Sequence, residues 1–546
     1  GYLKGTAGKI SSLKNASGVS MDEKHEEQTA TQDGNNLVLT IDETIQHFLE
    51  NHLKTAAEEN KLGNGACGII MNVKTGEILA MGTEGSFNLN DPFTLNDTAE
   101  AERIAALTGD EKSKAMNEAL QKMWRNKAVS DSYEPGSTFK IIVTAAALEE
   151  KVVTLEDQFS CSGSYRVADR NIKCWKAGGH GAETFQKGVQ NSCNPVFMQV
   201  GLRLGQDNFL KYFNGFGLSQ KTGIDLPGEA AGIFHDKAAF KDLDLAIASF
   251  GQGFQITPLE LITAVSAVAN GGYLMEPHVV KEIRDSNNNV VETIEPKVVR
   301  QIVSEETSKT VCSVLESVVT DGSASKAYIA GYHMAGKTGT SEKIPRNNGK
   351  YIASFMGFAP SNDPEIACLV ILDEPNGQFH FGGQIAAPVV HDIMEDTLDY
   401  LEVAKQYTPE EIEQLSKSMP NVTGKTVSEA KNELTLYNFK IKVEGEGKEV
   451  VSQMPPEGTA LSENSTVILY TEEQEDQKTI ELPDLYGKTY RQAKEILTSK
   501  GLNIHPVGIE KSINDNDIVT GQSPAAGSLV YPATAIEVET TDLNAH

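Results

Sequence analysis

A serine and a lysine stand three residues apart where a turn gives way to an apolar helix. In DSYEPGSTFKIIVTAAALEE (131–150), Pro135 and Gly136 break the chain, and alanine, leucine and isoleucine then recur at helical spacing. Ser137 would lie at or beside the helix start, with Lys140 one turn away on the same face. Serine is also a preferred N-cap, because its oxygen accepts a hydrogen bond from a free backbone N–H. The pair therefore indicates either a helix cap or a nucleophile with its base.

Two companion motifs favour the nucleophile. Ser-x-x-Lys, Ser-x-Asn and Lys-Thr-Gly each occur more than once, but most copies lie in turns, in the polar N-terminal segment or in C-terminal repeats. These three motifs occur together in serine acyl-transfer enzymes that bind penicillin. One ordered set remains, consisting of Ser137 with Lys140, then Ser192-Cys193-Asn194, then Lys337-Thr338-Gly339-Thr340.

Each residue of this set suits one step of acyl transfer, which needs a nucleophile, a base and oxyanion stabilisation. Ser137 is predicted to be the nucleophile and Lys140 its base. Lys140 must be neutral for part of the time, and both burial and the nearby cation Lys337 would lower its pKa. Ser192 can relay the proton to the leaving amine, and the Asn194 amide can hold Lys140 or a substrate carbonyl.

The third motif suits the terminal carboxylate of a peptide donor. Lys337 supplies a positive charge, and Thr338 and Thr340 supply hydroxyl donors. Thr338, Gly339 and Thr340 are therefore predicted to bind the substrate or the oxyanion.

Strands and helices around these motifs predict one large α+β domain over residues 36–405. NLVLTID is typical of a strand, ETIQHFLENHLKTAAEENK of a helix, and GACGIIMNVKTGEILAMG of a β-hairpin. Farther along the chain, YIASFMGFAP and EIACLVILDE predict strands, and AAPVVHDIMEDTLDYLEVAKQ predicts an amphipathic helix.

The C-terminal part contains an internal repeat. MPNVTGKTVSEAKNEL (419–434) aligns with LPDLYGKTYRQAKEIL (482–497) at an offset of 63 residues, and QMPPEG (453–458) aligns with QSPAAG (522–527) at an offset of 69. Each copy predicts a helix followed by strands, so the two modules are placed at residues 417–473 and 479–541.

Composition limits the class of protein. The chain has 546 residues, 39% apolar and 23% charged, which is an ordinary globular profile long enough for several domains. A net charge of −28 argues against nucleic-acid binding, which needs a basic face. The sequence contains no run of 18 apolar residues and begins with glycine, so a membrane anchor is expected upstream.

The ordered motifs, within EPGSTFK, CWKAGGHG, SCNPVF, GQGFQITPLE and GKTGTSE, resemble a class B penicillin-binding protein over about residues 36–405. The duplicated module resembles PASTA domains of Gram-positive bacteria. GYLKGTAGK resembles the end of the N-terminal pedestal or dimerisation domain of this family, so residues 1–35 are interpreted as its remnant. The likeness is to the division and stage V sporulation branches.

This resemblance implies a penicillin-binding fold, with helices around an antiparallel sheet, and two small α+β modules after it. It implies a monofunctional D,D-transpeptidase that cross-links D-Ala-D-Ala stem peptides and is acylated by β-lactams. The oxyanion hole would be the backbone N–H groups of Ser137 and Thr340. Expected partners are stem peptides, β-lactams, a peptidoglycan glycosyltransferase and other cell-wall synthesis proteins. No cofactor is expected, and the implied location is the outer side of the cell membrane.

The six cysteines include no Cys-x-x-Cys pair, so no metal site is expected. Cys193 lies inside the second motif. It is interpreted either as a small buried apolar residue or as one half of a disulfide with Cys174 or Cys161. Such a disulfide would distort the cleft and make activity redox-dependent.

Two other functions stay open at the level of sequence. A β-lactamase-like hydrolase needs a positioned water base, for which the loop residues Glu183 and Glu229 are candidates. A non-catalytic cell-wall or β-lactam sensor or scaffold would bind through the repeats and keep an inert large domain. Rapid turnover of a β-lactam would indicate the hydrolase, and absence of covalent labelling at Ser137 would indicate the sensor.

Overall fold

The computed structural model describes residues 2–11, 27–235, 238–408, 411, 416–462, 464–473, 478–507 and 513–541. Residues 12–26 of the predicted N-terminal remnant lie outside this part of the chain. Two compact units are formed, one by Gly1–Tyr328 with Met334–Leu401 and the other by Ile329–His333 with Glu402–His546.

The first unit contains a five-stranded antiparallel sheet. The predicted hairpin and the two predicted later strands all belong to it and are confirmed. Nearly every residue of its inner strands is buried, which requires cover on both faces. In spatial order the strands are β14 (Ala335–Glu342), β15 (Tyr351–Ala359), β16 (Ile366–Asp373), β4 (Ala66–Asn72) and β5 (Ile78–Thr83).

Helices provide that cover. The predicted first and last helices, α1 (Glu43–Asn60) and α13 (Ala387–Tyr400), pack on each other and on the sheet, and α10 (Pro258–Ala269) packs between the sheet and α5 (Lys140–Glu149). No helix in the described ranges combines the length and apolar character needed to cross a bilayer. The remaining helices of this unit are α2 (Thr98–Ala105), α3 (Gly109–Met123), α4 (Lys127–Ser130), α6 (Phe185–Gln190), α7 (Asn194–Leu204), α8 (Gln206–Gly215), α9 (Asp242–Ala248), α11 (Glu305–Thr320) and α12 (Gly382–Ile385), with 3-10 turns at Gly136–Phe139 and Ser325–Ala327.

Smaller sheets complete the first unit. The predicted NLVLTID strand forms β3 (Asn36–Leu39) and pairs with β11 (Val280–Arg284) in a three-stranded sheet. The strands are β3 (Asn36–Leu39), β11 (Val280–Arg284) and β12 (Val290–Thr293), with the paired strands β1 (Lys9–Ser11) and β2 (Glu27–Thr29), β6 (Gln158–Cys161) and β9 (Gly181–Thr184), β7 (Ser164–Val167) and β8 (Arg170–Lys173), and β10 (Tyr273–Met275) and β13 (Val298–Gln301).

The second unit holds the two repeats, each with one helix and a three-stranded mixed sheet. Thr426 and Thr489 occupy equivalent positions and start the two helices with capping boxes, which explains the threonine that the two repeats share. The helices are α14 (Val427–Thr435) and α15 (Tyr490–Ser499), and the strands are β17 (Gln406–Tyr407), β18 (Ser416–Ser418), β19 (Lys440–Glu444), β20 (Ser452–Met454), β21 (Ala460–Ser462), β22 (Thr466–Tyr470), β23 (Ile480–Glu481), β24 (Asn503–Pro506), β25 (Ile513–Asn514), β26 (Ile518–Ser523), β27 (Leu529–Val530) and β28 (Ala535–Thr541).

The turn that carries Ser137 is tighter than a plain helix start. The α-helix begins at Lys140, and Gly136–Phe139 form a 3-10 turn before it. Neither helix receives a side-chain cap from Ser137, so the cap interpretation of this serine is wrong. The Ser137 hydroxyl is therefore not used to cap the N-terminus of α5.

Two glycines in left-handed conformation hold this turn in place. The Gly136 N–H donates to the Gly251 carbonyl oxygen at 2.9 Å, and the φ angles are +57° and +86°. A Cβ atom on Gly251 would lie 1.9 Å from the Gly136 oxygen. Only glycine allows the two backbones to approach this closely.

We expect Gly251→Ala to lower the free energy of unfolding of the first unit by about 2–5 kcal/mol, from left-handed strain plus the clash. Both tryptophans, Trp124 and Trp175, belong to this unit, so denaturant unfolding followed by tryptophan fluorescence reports on it alone.

The matched control is Gly109→Ala. Gly109 has φ +61°, but a Cβ there meets no atom of the described residues within 4 Å. Strain alone should then cost about 1–2 kcal/mol. Equal losses in the two variants would contradict the close approach of Gly251 to the Ser137 turn.

Candidate active site

The first two motifs meet at the amine of Lys140. Its Nζ donates to the Ser192 carbonyl oxygen at 2.8 Å, to the Asn194 Oδ1 at 2.7 Å and to the Ser192 Oγ at 3.2 Å. The lysine is fully buried, and Ser137 precedes it by three residues in the 3-10 turn and is half-buried. The predicted association of Lys140 with Ser192 and Asn194 is thus present in the structure.

A strained turn before α7 presents these oxygens. Ser192 has φ +53°, a conformation that costs a non-glycine residue roughly 1–3 kcal/mol. Its N–H donates to the Val189 oxygen at 3.0 Å, and the Cys193 N–H donates to the Gly188 oxygen at 2.9 Å. Asn194 then opens α7 with Pro195 behind it, a favoured arrangement for a helix start. The end of α6 and the start of α7 therefore fix the Ser-x-Asn motif.

Burial shifts the acid–base behaviour of Lys140. Desolvation disfavours its charged form and lowers its pKa to about 7, although Cys193, Cys174 and Glu183 act in the opposite direction. An amine with this pKa is neutral in part of the molecules near physiological pH, as a general base must be.

The third motif lies along β14, at the edge of the central sheet. Lys337 is fully buried, and its Nζ has no hydrogen-bond partner in the described part of the chain. Burial and, second, the nearby Lys140 hold the pKa of Lys337 well below its ordinary value. Burying an amine without a hydrogen-bond partner costs free energy. The Lys337 Nζ can therefore be stabilised by an acceptor that binds beside β14.

The Ser137 turn packs closely on β14. A Cβ on Gly136 would lie 3.3 Å from the Thr340 oxygen, and one on Gly339 would lie 3.1 Å from the Pro135 oxygen. The Thr340 hydroxyl accepts the Gly382 N–H at 3.0 Å. The two residues predicted to form the oxyanion hole, Ser137 and Thr340, thus belong to segments in contact.

Three residues outside the motifs tie the turn to the strand. The Ser341 Oγ donates to the Glu134 oxygen at 2.9 Å, and Arg346 forms an ion pair with the Glu134 carboxylate. That carboxylate also accepts the Gly253 N–H at 3.0 Å. Sequence reasoning missed Glu134, Ser341 and Arg346, although the position of Glu134 directly before Pro-Gly-Ser was a signal for a positioning role.

The cysteines are all free thiols, and all six are buried. Cys161, Cys174 and Cys193 lie together with His180, and one ligand atom from each falls within 4.8 Å of the others. The search for a Cys-x-x-Cys pair did not find this cluster, because the four residues come from the ends of different strands and helices.

The two glutamates considered as water bases are already engaged. Glu183 accepts the Asn191 Nδ2 at 2.8 Å. Glu229 accepts the Thr222 N–H and hydroxyl, each at 2.6 Å, and both carboxylates are buried. These contacts give Glu183 and Glu229 structural roles.

Family comparison agrees with this geometry. The penicillin binding protein transpeptidase domain matches residues 66–395, and the PASTA domain matches residues 417–473 and 480–542. The chain therefore belongs to the penicillin-binding protein family of serine D,D-transpeptidases, as a class B member with two PASTA domains. The resemblance predicted from the motifs is confirmed.

Named relatives belong to both branches that the motifs suggested. Stage V sporulation protein D of Bacillus subtilis is 37% identical over 490 residues, covering 87% of this chain and 71% of that protein. Peptidoglycan D,D-transpeptidase FtsI of Escherichia coli is 30% identical over 375 residues, covering 68% of this chain and 57% of that protein. The chain thus spans between about half and three quarters of the length of these two relatives.

Solved structures share the fold. Penicillin-binding protein 3 of Mycobacterium tuberculosis, complexed with aztreonam, aligns with a TM-score of 0.59 and 25% identity, over 69% of this chain and 81% of that one. The predicted fold class, helices around an antiparallel sheet followed by small α+β modules, is confirmed.

We expect Lys337→Met to stabilise the first unit by roughly 1–3 kcal/mol, because it replaces a buried amine that has no partner with an apolar chain of similar length. Denaturant unfolding followed by tryptophan fluorescence measures the change. The same variant should lose binding of substrates that carry a carboxylate.

Lys343→Met is the matched control. The Lys343 Nζ pairs with Asp373 at 2.9 Å and Glu374 at 2.8 Å, and the side chain is partly exposed. Its loss should destabilise the unit by about 1 kcal/mol. A Lys337→Met variant less stable than the wild type would contradict the absence of a partner for Lys337.

Proposed function

We propose that the chain cross-links peptidoglycan through an acyl-enzyme formed on Ser137, in septal or spore cell-wall synthesis. One observation carries the proposal: the buried Lys140 amine is held by Ser192 and Asn194 and lies one turn from Ser137. This constellation supplies a base and a proton relay beside a hydroxyl that caps no helix.

Acylation begins with attack of the Ser137 Oγ on the carbonyl carbon of the penultimate D-alanine. The hydroxyl proton passes to the neutral Lys140 Nζ, and the backbone N–H groups of Ser137 and Thr340 stabilise the oxyanion. The C–N bond to the terminal D-alanine then breaks. Ser192 gives its proton to the leaving amine and regains one from Lys140.

The contacts of Lys140 suit this exchange. A neutral amine has two N–H donors and one lone pair. The Ser192 carbonyl oxygen and the Asn194 Oδ1 accept both donors, at 2.8 and 2.7 Å. The lone pair is then free to receive a proton from a hydroxyl. The Ser192 Oγ, 3.2 Å away, is placed to continue the relay.

Deacylation uses the same groups in reverse. The amine of a second stem peptide attacks the ester carbonyl of acylated Ser137, gives its proton to the relay and forms the cross-link, and the Ser137 Oγ leaves with a proton. The structural engagement of Glu183 and Glu229 supports transfer to an amine over hydrolysis by a positioned water.

Lys337 is proposed to bind the terminal carboxylate of the donor, with Thr338 and Thr340 beside it on β14. The unpartnered Nζ of Lys337 supports this role, since a carboxylate would satisfy the amine and favour its charged form.

The proposed partner is a peptidoglycan glycosyltransferase, because cross-linking requires glycan strands that bear stem peptides. The same chemistry supports a location on the outer side of the cell membrane, where those strands are assembled.

Ser137→Ala should abolish covalent β-lactam binding, because it removes the attacking oxygen. Intact-protein mass spectrometry after incubation with benzylpenicillin measures the adduct. Ser428→Ala is the matched control, because Ser428 and Lys431 form another Ser-x-x-Lys sequence, in α14 of the first repeat. An adduct of equal yield on the Ser137→Ala chain would overturn the assignment.

Lys140→Arg should slow acylation by about 10²–10⁴-fold, because a guanidinium keeps the charge and donors but cannot accept a proton. Stopped-flow with a fluorescent penicillin gives the second-order rate constant. Lys211→Arg, at an exposed lysine, should acylate like the wild type. Equal rates for Lys140→Arg and the wild type would contradict the role of Lys140 as base.

A further inference from the structure

Three cysteines and a histidine converge behind the Ser-x-Asn motif. Cys161 ends β6, Cys174 follows β8, His180 directly precedes β9, and Cys193 is the N-cap of α7. Cys161 pairs across the strands with Gly181, which brings the neighbouring His180 to the same end of that ladder. The fold therefore gathers four soft or borderline ligands that are far apart in the sequence.

Their spacing fits one small cation. A tetrahedral Zn²⁺ with sulfur and nitrogen ligands holds its donor atoms about 3.5–3.8 Å apart. The Cys174 Sγ and the His180 Nδ1 are separated by 3.7 Å, and all four donor atoms lie within 4.8 Å of one another. Shifts of roughly 1 Å would complete the tetrahedron.

The cluster is enclosed and contains polar atoms that the protein leaves unsatisfied. The Cys161 and Cys193 side chains are 0% exposed and Cys174 is 8% exposed. Within the described ranges, the His180 Nε2 and the Glu183 Oε1 are buried with no hydrogen-bond partner. Buried polar groups usually have partners, so these two atoms indicate a partner other than the described protein atoms.

We propose that Cys161, Cys174, His180 and Cys193 bind one Zn²⁺ ion. Three thiolates and an imidazole form a closed four-coordinate set typical of structural zinc. Binding replaces the thiol protons, which leave to solvent, by three Zn–S bonds and one Zn–N bond. No oxidant or reductant is needed.

Glu183 lies beside the histidine of this cluster. Its Oε1 lies 4.0 Å from the His180 Nδ1, and its Oε2 accepts from Asn191.

The ion braces the catalytic turn. Cys193 stands between Ser192 and Asn194, whose oxygens hold the Lys140 amine. An ion that links the Cys193 sulfur to the other three ligands would fix the positions of Ser192 and Asn194, including the strained φ of Ser192. This effect on acylation rests on the proposed function, whereas metal binding itself does not.

Zinc binding excludes the disulfide considered for Cys193. A bond from Cys193 to Cys174 or Cys161 would consume two of the four ligands. The metal-bound chain should therefore keep all its thiols reduced, and loss of the ion would expose them to oxidation.

Metal content tests the binding. The full chain, purified under reducing conditions, should contain about one zinc per molecule by inductively coupled plasma mass spectrometry. Cys161→Ala and His180→Ala should lose it, whereas Cys312→Ala, a buried thiol outside the cluster, should keep it. Cobalt in place of zinc should give thiolate charge-transfer absorption that Cys161→Ala lacks.

Zinc in the wild type no higher than in Cys161→Ala would overturn the site, as would a Cys174–Cys193 disulfide in reduced, zinc-supplemented preparations. Chelation of the wild type followed by zinc addition tests the site without any variant, so the result does not depend on whether the variants fold.

Acylation tests the bracing. Removal of zinc should slow benzylpenicillin acylation by roughly 10²-fold, the effect expected for small displacements of catalytic groups, and zinc addition should restore it. Zinc that binds stoichiometrically without any effect on acylation would overturn the bracing. A zinc-loaded chain that never forms an adduct would instead contradict the proposed function and leave the metal site standing.

Discussion

The buried amine of Lys140 is the constraint on which the rest of the site depends. Removing a charged group from water costs several kcal/mol unless polar atoms replace the lost solvent. Three oxygens of Ser192 and Asn194 do so here, at 2.7–3.2 Å. Those oxygens are available only because Ser192 adopts a left-handed conformation and α7 starts two residues later. The Lys140 amine is therefore held by a polar contact that depends on how three segments pack together: the Ser137 turn, the end of α6 and the start of α7.

The two buried lysines of the site, Lys140 and Lys337, differ in their hydrogen-bond partners. Lys140 has its acceptors within the protein, as its proposed role in proton transfer requires. Lys337 has no hydrogen-bond partner in the described part of the chain, so its stabilisation must come from what binds beside it. Such a site is less stable than the fold alone would allow, and under the proposed function it gains complementarity to a carboxylate.

Short-range patterns in the sequence predicted most of the elements and the three motifs, because hydrophobic periodicity and motif order are local or nearly local signals. The hairpin β4–β5 and the helices α1 and α13 are of this kind. The tight turn at Ser137 was not predictable, since its shape depends on Gly251, more than a hundred residues away. The cluster around Cys193 was missed for the same reason: sequence spacing identifies a metal site only when its ligands are neighbours in sequence.

The proposed reaction transfers an acyl group from Ser137 to an amine. The most direct test is to incubate the chain with a D-Ala-D-Ala stem peptide and an isotope-labelled D-amino acid acceptor, and to follow the products by liquid chromatography and mass spectrometry. Acyl transfer to the amine should release D-alanine together with a peptide that carries the labelled residue in its place, and both products should be lost in Ser137→Ala. Hydrolysed peptide alone, formed at the same rate with and without the acceptor, would contradict it.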